Sequence, residues 1–119
     1  MGIIEWDGDN FLEAFDSGYK FSEADLAELV SECSCEEFSN GCGRWVEYII
    51  SIMEFENRFF AVPWSRALTE LQSSEYPYQP IEVNQVKKKV GATKVSYLSK
   101  RGSNCGELLE TEEGNKYYL

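Results

Sequence analysis

The chain has 119 residues, and its 21 Asp and Glu against 11 Lys and Arg give a formal net charge of -10. Its length suits one ordinary domain, and its 14% of aromatic residues excludes a chain that is disordered throughout. The excess of acids argues against direct binding of DNA or RNA, because Lys and Arg supply most of a protein's affinity for phosphates.

The negative charge is concentrated at the start of the chain. Residues 1–40 contain eleven of the acids and a single base, Lys20, whereas the acids and bases of the remaining chain cancel. A function that depends on negative charge is therefore expected to use the first third of the chain.

Two short helices are predicted in this acidic segment. Asn10 and Glu13 have the spacing of a capping box, and Gly18 can end the first helix. Ser22 and Asp25 have the same spacing at the start of the second helix. Its apolar face is formed by Leu26, Leu29 and Val30. This face needs a partner, which we expect to be a sheet.

A hairpin is predicted in the middle of the chain. Residues 44–55 alternate with apolar side chains on both faces, as in a central strand, and residues 58–64 return after a turn at Glu56-Asn57. Pro63 indicates that the returning strand ends there or reaches a sheet edge.

The remaining elements have weaker patterns. We expect a strand at 31–38 that pairs with the central strand, a helical turn at 65–72 and a second hairpin, 81–90 with 93–98, that turns near Gly91.

Together these elements predict an α+β fold, in which an antiparallel sheet of about 4-5 strands packs against two short N-terminal helices. We expect residues 1–119 to form a single domain. In it, residues 1–21 are an acidic N-terminal helical extension and residues 107–119 are a loose C-terminal tail.

The sequence also bears on localisation. Residues 1–5 lack the basic and apolar regions of a signal peptide, and no apolar run approaches the roughly 18 residues of a membrane span. We therefore expect a cytoplasmic protein that has no contact with a membrane.

The four cysteines are expected to be free thiols, because the cytoplasm is reducing. The alternative is a zinc site made of Cys33, Cys35, Cys42 and Cys105. Against zinc stands the C-x-C spacing of the first two, since structural zinc sites usually space their cysteines more widely. We expect no metal and no other cofactor.

An enzymatic function is not expected. The chain contains no His, which excludes Ser-His, Cys-His and His-metal chemistry, and it contains no phosphate-binding glycine motif. Paired carboxylates remain, but with 21 acids in the chain any fold brings some of them together.

A series of short motifs carries a family resemblance. In chain order they are Arg44-Trp45, Arg58-Phe59-Phe60-Ala61-Val62-Pro63-Trp64, Arg66-Ala67-Leu68-Thr69-Glu70-Leu71-Gln72, Glu75, Gln79-Pro80 and Glu82-Val83. From about Phe21 to Val86 the chain resembles a small family of uncharacterised proteins that are encoded by phages and prophages of Gram-positive bacteria. The acidic segment before Phe21 and the cysteine-bearing loop depart from the family's pattern. The resemblance implies a viral protein that acts in the cytoplasm of a bacterial host cell.

A viral protein of this kind can act by binding. We expect an inhibitor of a host defence system, of the anti-CRISPR or anti-restriction type, whose acidic surface occupies the basic groove of a nucleic-acid-binding enzyme. The acids expected to form this surface are Glu13, Asp16, Asp25, Glu28 and Glu32. The alternative is a small accessory or structural protein of phage replication or assembly, in which these acids only solvate the surface.

A second and weaker candidate is an aromatic loop. Tyr76 and Tyr78 lie on either side of Pro77 in a segment expected to be irregular. They are expected there either as exposed residues that bind a partner or as buried residues of the core. Trp45 and Trp64 lie in predicted strands, so we expect them to pack in the core.

Overall fold

The computed structural model describes residues 6–69 and 73–119. In this part of the chain, two helices are followed by seven strands. They are α1 (Gly8–Asp16), α2 (Glu23–Cys33), β1 (Ser34–Cys42), β2 (Val46–Phe55), β3 (Arg58–Ala67), β4 (Ile81–Val90), β5 (Ala92–Ser99), β6 (Asn104–Glu110) and β7 (Lys116–Tyr118). The fold is therefore mostly β, and the expected α+β fold with 4-5 strands is wrong.

The strands form one antiparallel sheet in chain order, from β1 to β7. The sheet curves until its first and last strands approach each other, so it is nearly closed. Glu36 of β1 accepts hydrogen bonds from the Tyr118 hydroxyl at 2.6 Å and from the Lys116 ammonium at 2.8 Å, both on β7. We call this contact the seam.

The unexpected strands arise where the sequence pattern is weak. Residues 107–119, expected as a loose tail, contain the end of β6 and all of β7. Residues 65–67, expected in a helical turn, extend β3, while residues 70–72 of that predicted turn lie outside the described residues. β1 also starts later than the predicted strand, because α2 continues to Cys33.

The two predicted hairpins are confirmed. β2 and β3 are joined by Glu56 and Asn57, whose φ angles of 50° and 66° are those of a two-residue turn that follows the twist of the strands. β4 and β5 turn at Gly91, where a φ of 79° favours glycine.

Pro63 lies inside β3, at a point where its edge is not covered by any strand of the described residues. β4 pairs with β3 only from Phe59 to Ala61. Beyond it, Ser65 exchanges two backbone hydrogen bonds with Glu75. Because these bonds alternate in direction along a strand, Pro63 turns its nitrogen to the same edge as Ser65. The predicted sheet edge is thus present, although the strand continues past it.

Both helices are confirmed, and both begin with a capping box. In α2 it is formed by Ser22 and Asp25, as expected. In α1 it is formed by Asp7 and Asn10, so the helix begins earlier than the pair of Asn10 and Glu13 indicated. Neither of these described helices has the length and apolar character that a membrane crossing requires.

The buried side chains form two clusters on opposite faces of the sheet. The outer cluster lies between the helices and one face of β2 and β3; it includes Phe11, Phe21, Leu26, Leu29, Met53, Phe60, Val62 and Trp64. The inner cluster lies inside the curved sheet; it consists of Phe38, Ile52, Ala61, Val83, Val95, Tyr97 and Leu108. Two apolar faces on β2, predicted from the alternation, serve these two clusters.

Candidate binding surface

The helices α1 and α2 form a layer on the outer face of β2 and β3. Their apolar sides are buried, so their polar sides face the solvent and carry seven of the eleven acids of the first 40 residues. We call this solvent side the acidic surface. The five acids predicted to form it differ in their hydrogen bonds and ion pairs.

Asp16 is held in an ion pair. Its two carboxylate oxygens accept hydrogen bonds from the Arg58 guanidinium, both at 2.9 Å. The same guanidinium also binds Glu82 of β4. The hydrogen bond from Arg58 lowers the pKa of Asp16, so this carboxylate is charged and paired. Asp16 joins α1 to the sheet, and because Arg58 is shared with Glu82, the three groups together keep one net negative charge.

Asp25 caps the start of its own helix, α2. Its carboxylate accepts hydrogen bonds from the Ser22 backbone N–H at 2.9 Å and from the Tyr19 hydroxyl at 3.0 Å. Burial works against ionisation of Asp25, but these hydrogen bonds outweigh it and lower the pKa. The negative charge of Asp25 therefore stabilises the helix start, where it also meets the helix dipole.

Glu13, Glu28 and Glu32 have no ion pair among the described residues. Glu13 and Glu32 are exposed, and Glu28 is half-buried. Two further acids that were not selected from the sequence, Asp9 and Glu23, are exposed and likewise outside every described ion pair. Asp25 also has no described ion pair, because its hydrogen-bond donors are neutral. Six acids of the helices, four of them predicted, therefore carry charge that no described cation balances.

Two arginines of β3 take part in ion pairs with carboxylates. Arg58 binds two carboxylates, and Arg66 of β3 binds Glu37 and Glu47 while its guanidinium lies over the Trp64 ring. These two cations are therefore neutralised by carboxylates. Lys20, between α1 and α2, is the one base among the described residues of the acidic segment, so the acidic surface keeps a net negative charge.

The predicted aromatic loop is divided between core and surface. The Tyr76 ring stacks on Trp64 at a centroid distance of 5.1 Å, and Trp64 donates a buried hydrogen bond to Ser51. Tyr76 thus completes the outer cluster. Tyr78, two residues later, is 60% exposed. Of the predicted pair, Tyr78 is the residue that is available to a partner.

A group of exposed aromatic residues near the start of β2, which we call the exposed aromatic end, was not predicted from the sequence. Trp45, expected in the core, is 49% exposed because it precedes β2, and Arg44 lies over its ring. Tyr48 is 50% exposed and lines a cavity of about 390 Å³ together with Pro63 and Tyr78. Such residues are enriched at the centres of protein interfaces.

The four cysteines do not form a metal site in the described part of the chain, where no group of three or more Cys, Asp or Glu is placed to hold an ion. Burial raises the pKa of the thiols of Cys33, Cys35 and Cys105, and nearby carboxylates add to the effect at Cys33 and Cys35. Raised thiol pKa values oppose the thiolate form that binds zinc.

Comparison with protein-family models, with curated proteins and with solved structures finds no match to this chain.

Proposed function

We propose that this protein binds and inhibits a nucleic-acid-binding protein of a bacterial host, as an anti-CRISPR or anti-restriction protein encoded by a phage. The phage origin and the bacterial cytoplasm rest on the sequence resemblance. The mode of action rests on one structural observation: the helices of the acidic surface carry six acids without a described ion pair, while Arg58 and Arg66 of β3 are each bound by two carboxylates.

The proposed mechanism is occupation of a basic groove. Glu28 and Glu32 are one helical turn apart, which corresponds to about 6 Å along the axis of α2. A DNA duplex presents one negative charge about every 1.7 Å, so the acidic surface is less densely charged than the nucleic acid it would displace. Binding therefore needs the whole helix layer, and the charge mainly steers and accelerates association.

The second candidate is a structural or accessory protein of phage replication or assembly. The exposed aromatic end favours this function, because Trp45, Tyr48 and Tyr78 offer a binding surface that does not depend on charge. A partner bound there would be retained at high salt.

Charge reversal separates the two candidates. The test variant carries Glu13→Lys and Glu32→Lys, which change exposed acids without a described ion pair and leave the roles of Asp16 and Asp25 intact. The control variant carries Glu112→Lys and Glu113→Lys, two exposed acids between β6 and β7, and has the same net charge. Each is used to capture proteins from a lysate of phage-infected host cells.

If the proposal is correct, the native protein and the control capture one host nucleic-acid-binding protein at about 0.1 M salt and release it at about 0.5 M. The test variant then fails to capture it. Capture of phage replication or capsid proteins that persists at both salt concentrations and in both variants would instead establish the second candidate.

A further inference from the structure

A groove at the C-terminal end of α1 lies outside the acidic surface. A cavity of about 550 Å³ is lined by Phe15 of α1, by Pro80 and Ile81 at the start of β4, and by the turn between β5 and β6. A second cavity of about 260 Å³ continues from it, sharing Phe15 and Pro80, and reaches Lys20. We call the two together the Phe15–Pro80 groove. Its volume is in the range of known ligand sites, which is about 300 to 1,000 Å³.

The charges along this groove are positive. Lys20 lines one of the two cavities, and Lys100 with Arg101 lines the other. None of these three cations takes part in an ion pair among the described residues. The one acid of the groove wall, Glu82, has both carboxylate oxygens bound to Arg58. Hydrogen bonds from Arg58 and, to a smaller extent, the charge of Lys100 lower the pKa of Glu82, so Lys100 lies near this acid without forming an ion pair with it. In a chain of net charge -10, three cations around one groove that are outside every described ion pair favour an anionic ligand.

Lys100 and Arg101 lie in the turn between β5 and β6, which is closed by hydrogen bonds. The Gly102 N–H donates to the Ser99 carbonyl at 2.8 Å, and the Ser103 N–H donates to the Ser99 hydroxyl at 3.1 Å. The Ser99 N–H donates in turn to the Ser103 carbonyl at 2.9 Å. Because the backbone between them is fixed, Lys100 and Arg101 lose less entropy when they bind a ligand than they would on a free loop.

We propose that the Phe15–Pro80 groove binds a segment of a partner protein in which apolar side chains are flanked by carboxylates. The apolar floor of Phe15, Pro80 and Ile81 receives the apolar side chains, and the cations at the two ends pair with the acids. A nucleic acid would leave this floor without apolar contacts. The groove therefore selects an acidic, apolar peptide, whereas the acidic surface selects a basic partner, and the two sites can act independently.

The first test uses a synthetic probe. A short peptide with Leu and Phe at its centre and Glu at both ends is titrated into the isotope-labelled protein, and a matched peptide has Lys in place of each Glu. We expect the acidic peptide to shift the amide signals of Ile81, Lys100 and Gly102, and to bind more weakly as salt rises from about 0.1 to about 0.5 M. The Lys peptide is expected to leave these signals unchanged.

The second test uses charge reversal on the protein. Lys100→Glu with Arg101→Glu is compared with Lys88→Glu and Lys89→Glu, an exposed pair on β4 that gives the same net charge. We expect the first pair to weaken binding of the acidic peptide by at least about tenfold and the control by less than about twofold. Lys20→Glu is the substitute for the first pair if the latter does not fold.

Three results would overturn the proposal: equal weakening by the two pairs, shifts that map outside the groove, or no shift at about 1 mM acidic peptide. Reversal of Glu13 and Glu32 on the acidic surface is expected to leave peptide binding intact, so failure of the proposed function does not imply failure of this site.

Discussion

The outer and inner clusters of this protein are held together in different ways. In the outer cluster, the Phe11 ring contacts the rings of Phe15, Phe21, Phe55 and Phe60 at centroid distances of 4.7 to 6.0 Å. The inner cluster is enclosed by strands from both ends of the sheet and ends at the seam, where Glu36 binds β7. The helix layer thus depends on apolar packing, whereas closure of the sheet combines the packing of Phe38 against Tyr118 with the polar contacts of Glu36.

The largest effect is expected where aromatic packing is densest. Phe60 is fully buried and meets Phe11 and Phe15 at centroid distances of 4.8 Å. Phe60→Ala removes these contacts and leaves a cavity, which we expect to lower the free energy of unfolding by about 3–5 kcal/mol. Urea denaturation followed by tryptophan fluorescence measures the loss. The exposed Tyr117 is the control, and Tyr117→Ala is expected to cost less than about 0.5 kcal/mol; similar losses in the two variants would refute the assignment.

A smaller effect is expected in the inner cluster at Gly106 of β6. A Cβ atom at this position would lie 2.3 Å from Cδ2 of Phe38, which is closer than atoms can approach. Gly106→Ala must displace the Phe38 ring, and we expect a cost of about 1–3 kcal/mol. In a Phe38→Leu background the same substitution should cost less, because the ring edge is gone.

The control for this experiment is Gly43, where an added Cβ would have ordinary contacts of 3.6 Å with Tyr48 and Val46. Gly43→Ala is expected to change stability by less than about 0.5 kcal/mol. If Gly106→Ala has the same cost with Phe38 and with Leu at position 38, the contact does not limit packing of the inner cluster.

The seam itself is expected to contribute less. Glu36→Gln keeps the shape of the side chain but removes the charge that binds Lys116 and Tyr118. Because Lys116 is partly exposed, we expect a loss of about 1–2 kcal/mol, below the cost of breaking a fully buried pair. In this variant, the amide hydrogen exchange rates of β7 and β1 should rise more than those of β2 and β3. Uniform acceleration through the whole sheet would show that the seam is not a separate unit.

The two clusters also differ in how far they could be predicted from the sequence. The features around the outer cluster are local: Ser22 and Asp25 of α2 are three residues apart, and the turn at Glu56 and Asn57 joins β2 to β3, which follows it directly. Such patterns are set by the periods of helices and strands. The seam joins Glu36 to a residue 82 positions away, and no local pattern encodes that contact.

The same limit applies to the candidate site. Helical spacing indicated which acids face the solvent, but not that Asp16 is paired with Arg58, 42 positions further along the chain. The division of the aromatic loop could not be predicted, because side chains two residues apart in an extended segment are expected to face the same side. Tyr76 packs on Trp64, whereas Tyr78 is exposed. The exposure of Trp45 depends on where β2 begins, and strand ends are the least certain part of a pattern.

The smallest expected effect is the pH dependence of the stability that the seam contributes. The hydrogen bond to Glu36 raises the pKa of Tyr118 from 10.0 to about 12, which means that the folded state keeps this proton more tightly than the unfolded state. The stabilisation is therefore complete below about pH 10 and is lost as the pH rises through about 12. Since half of Tyr118 is exposed and water screens the contact, we expect less than about 1 kcal/mol.

The measurement is the difference in free energy of unfolding between the native protein and Tyr118→Phe at pH values from 8 to about 12, with Tyr117→Phe as the control for the ionisation of other tyrosines. The difference should be constant up to about pH 10 and then shrink, while that of the control stays flat. A difference that does not change with pH would mean that the hydrogen bond from the Tyr118 hydroxyl to Glu36 does not stabilise the folded state. Closure of the sheet would then depend on Lys116 and on contact of the Tyr118 ring with Phe38.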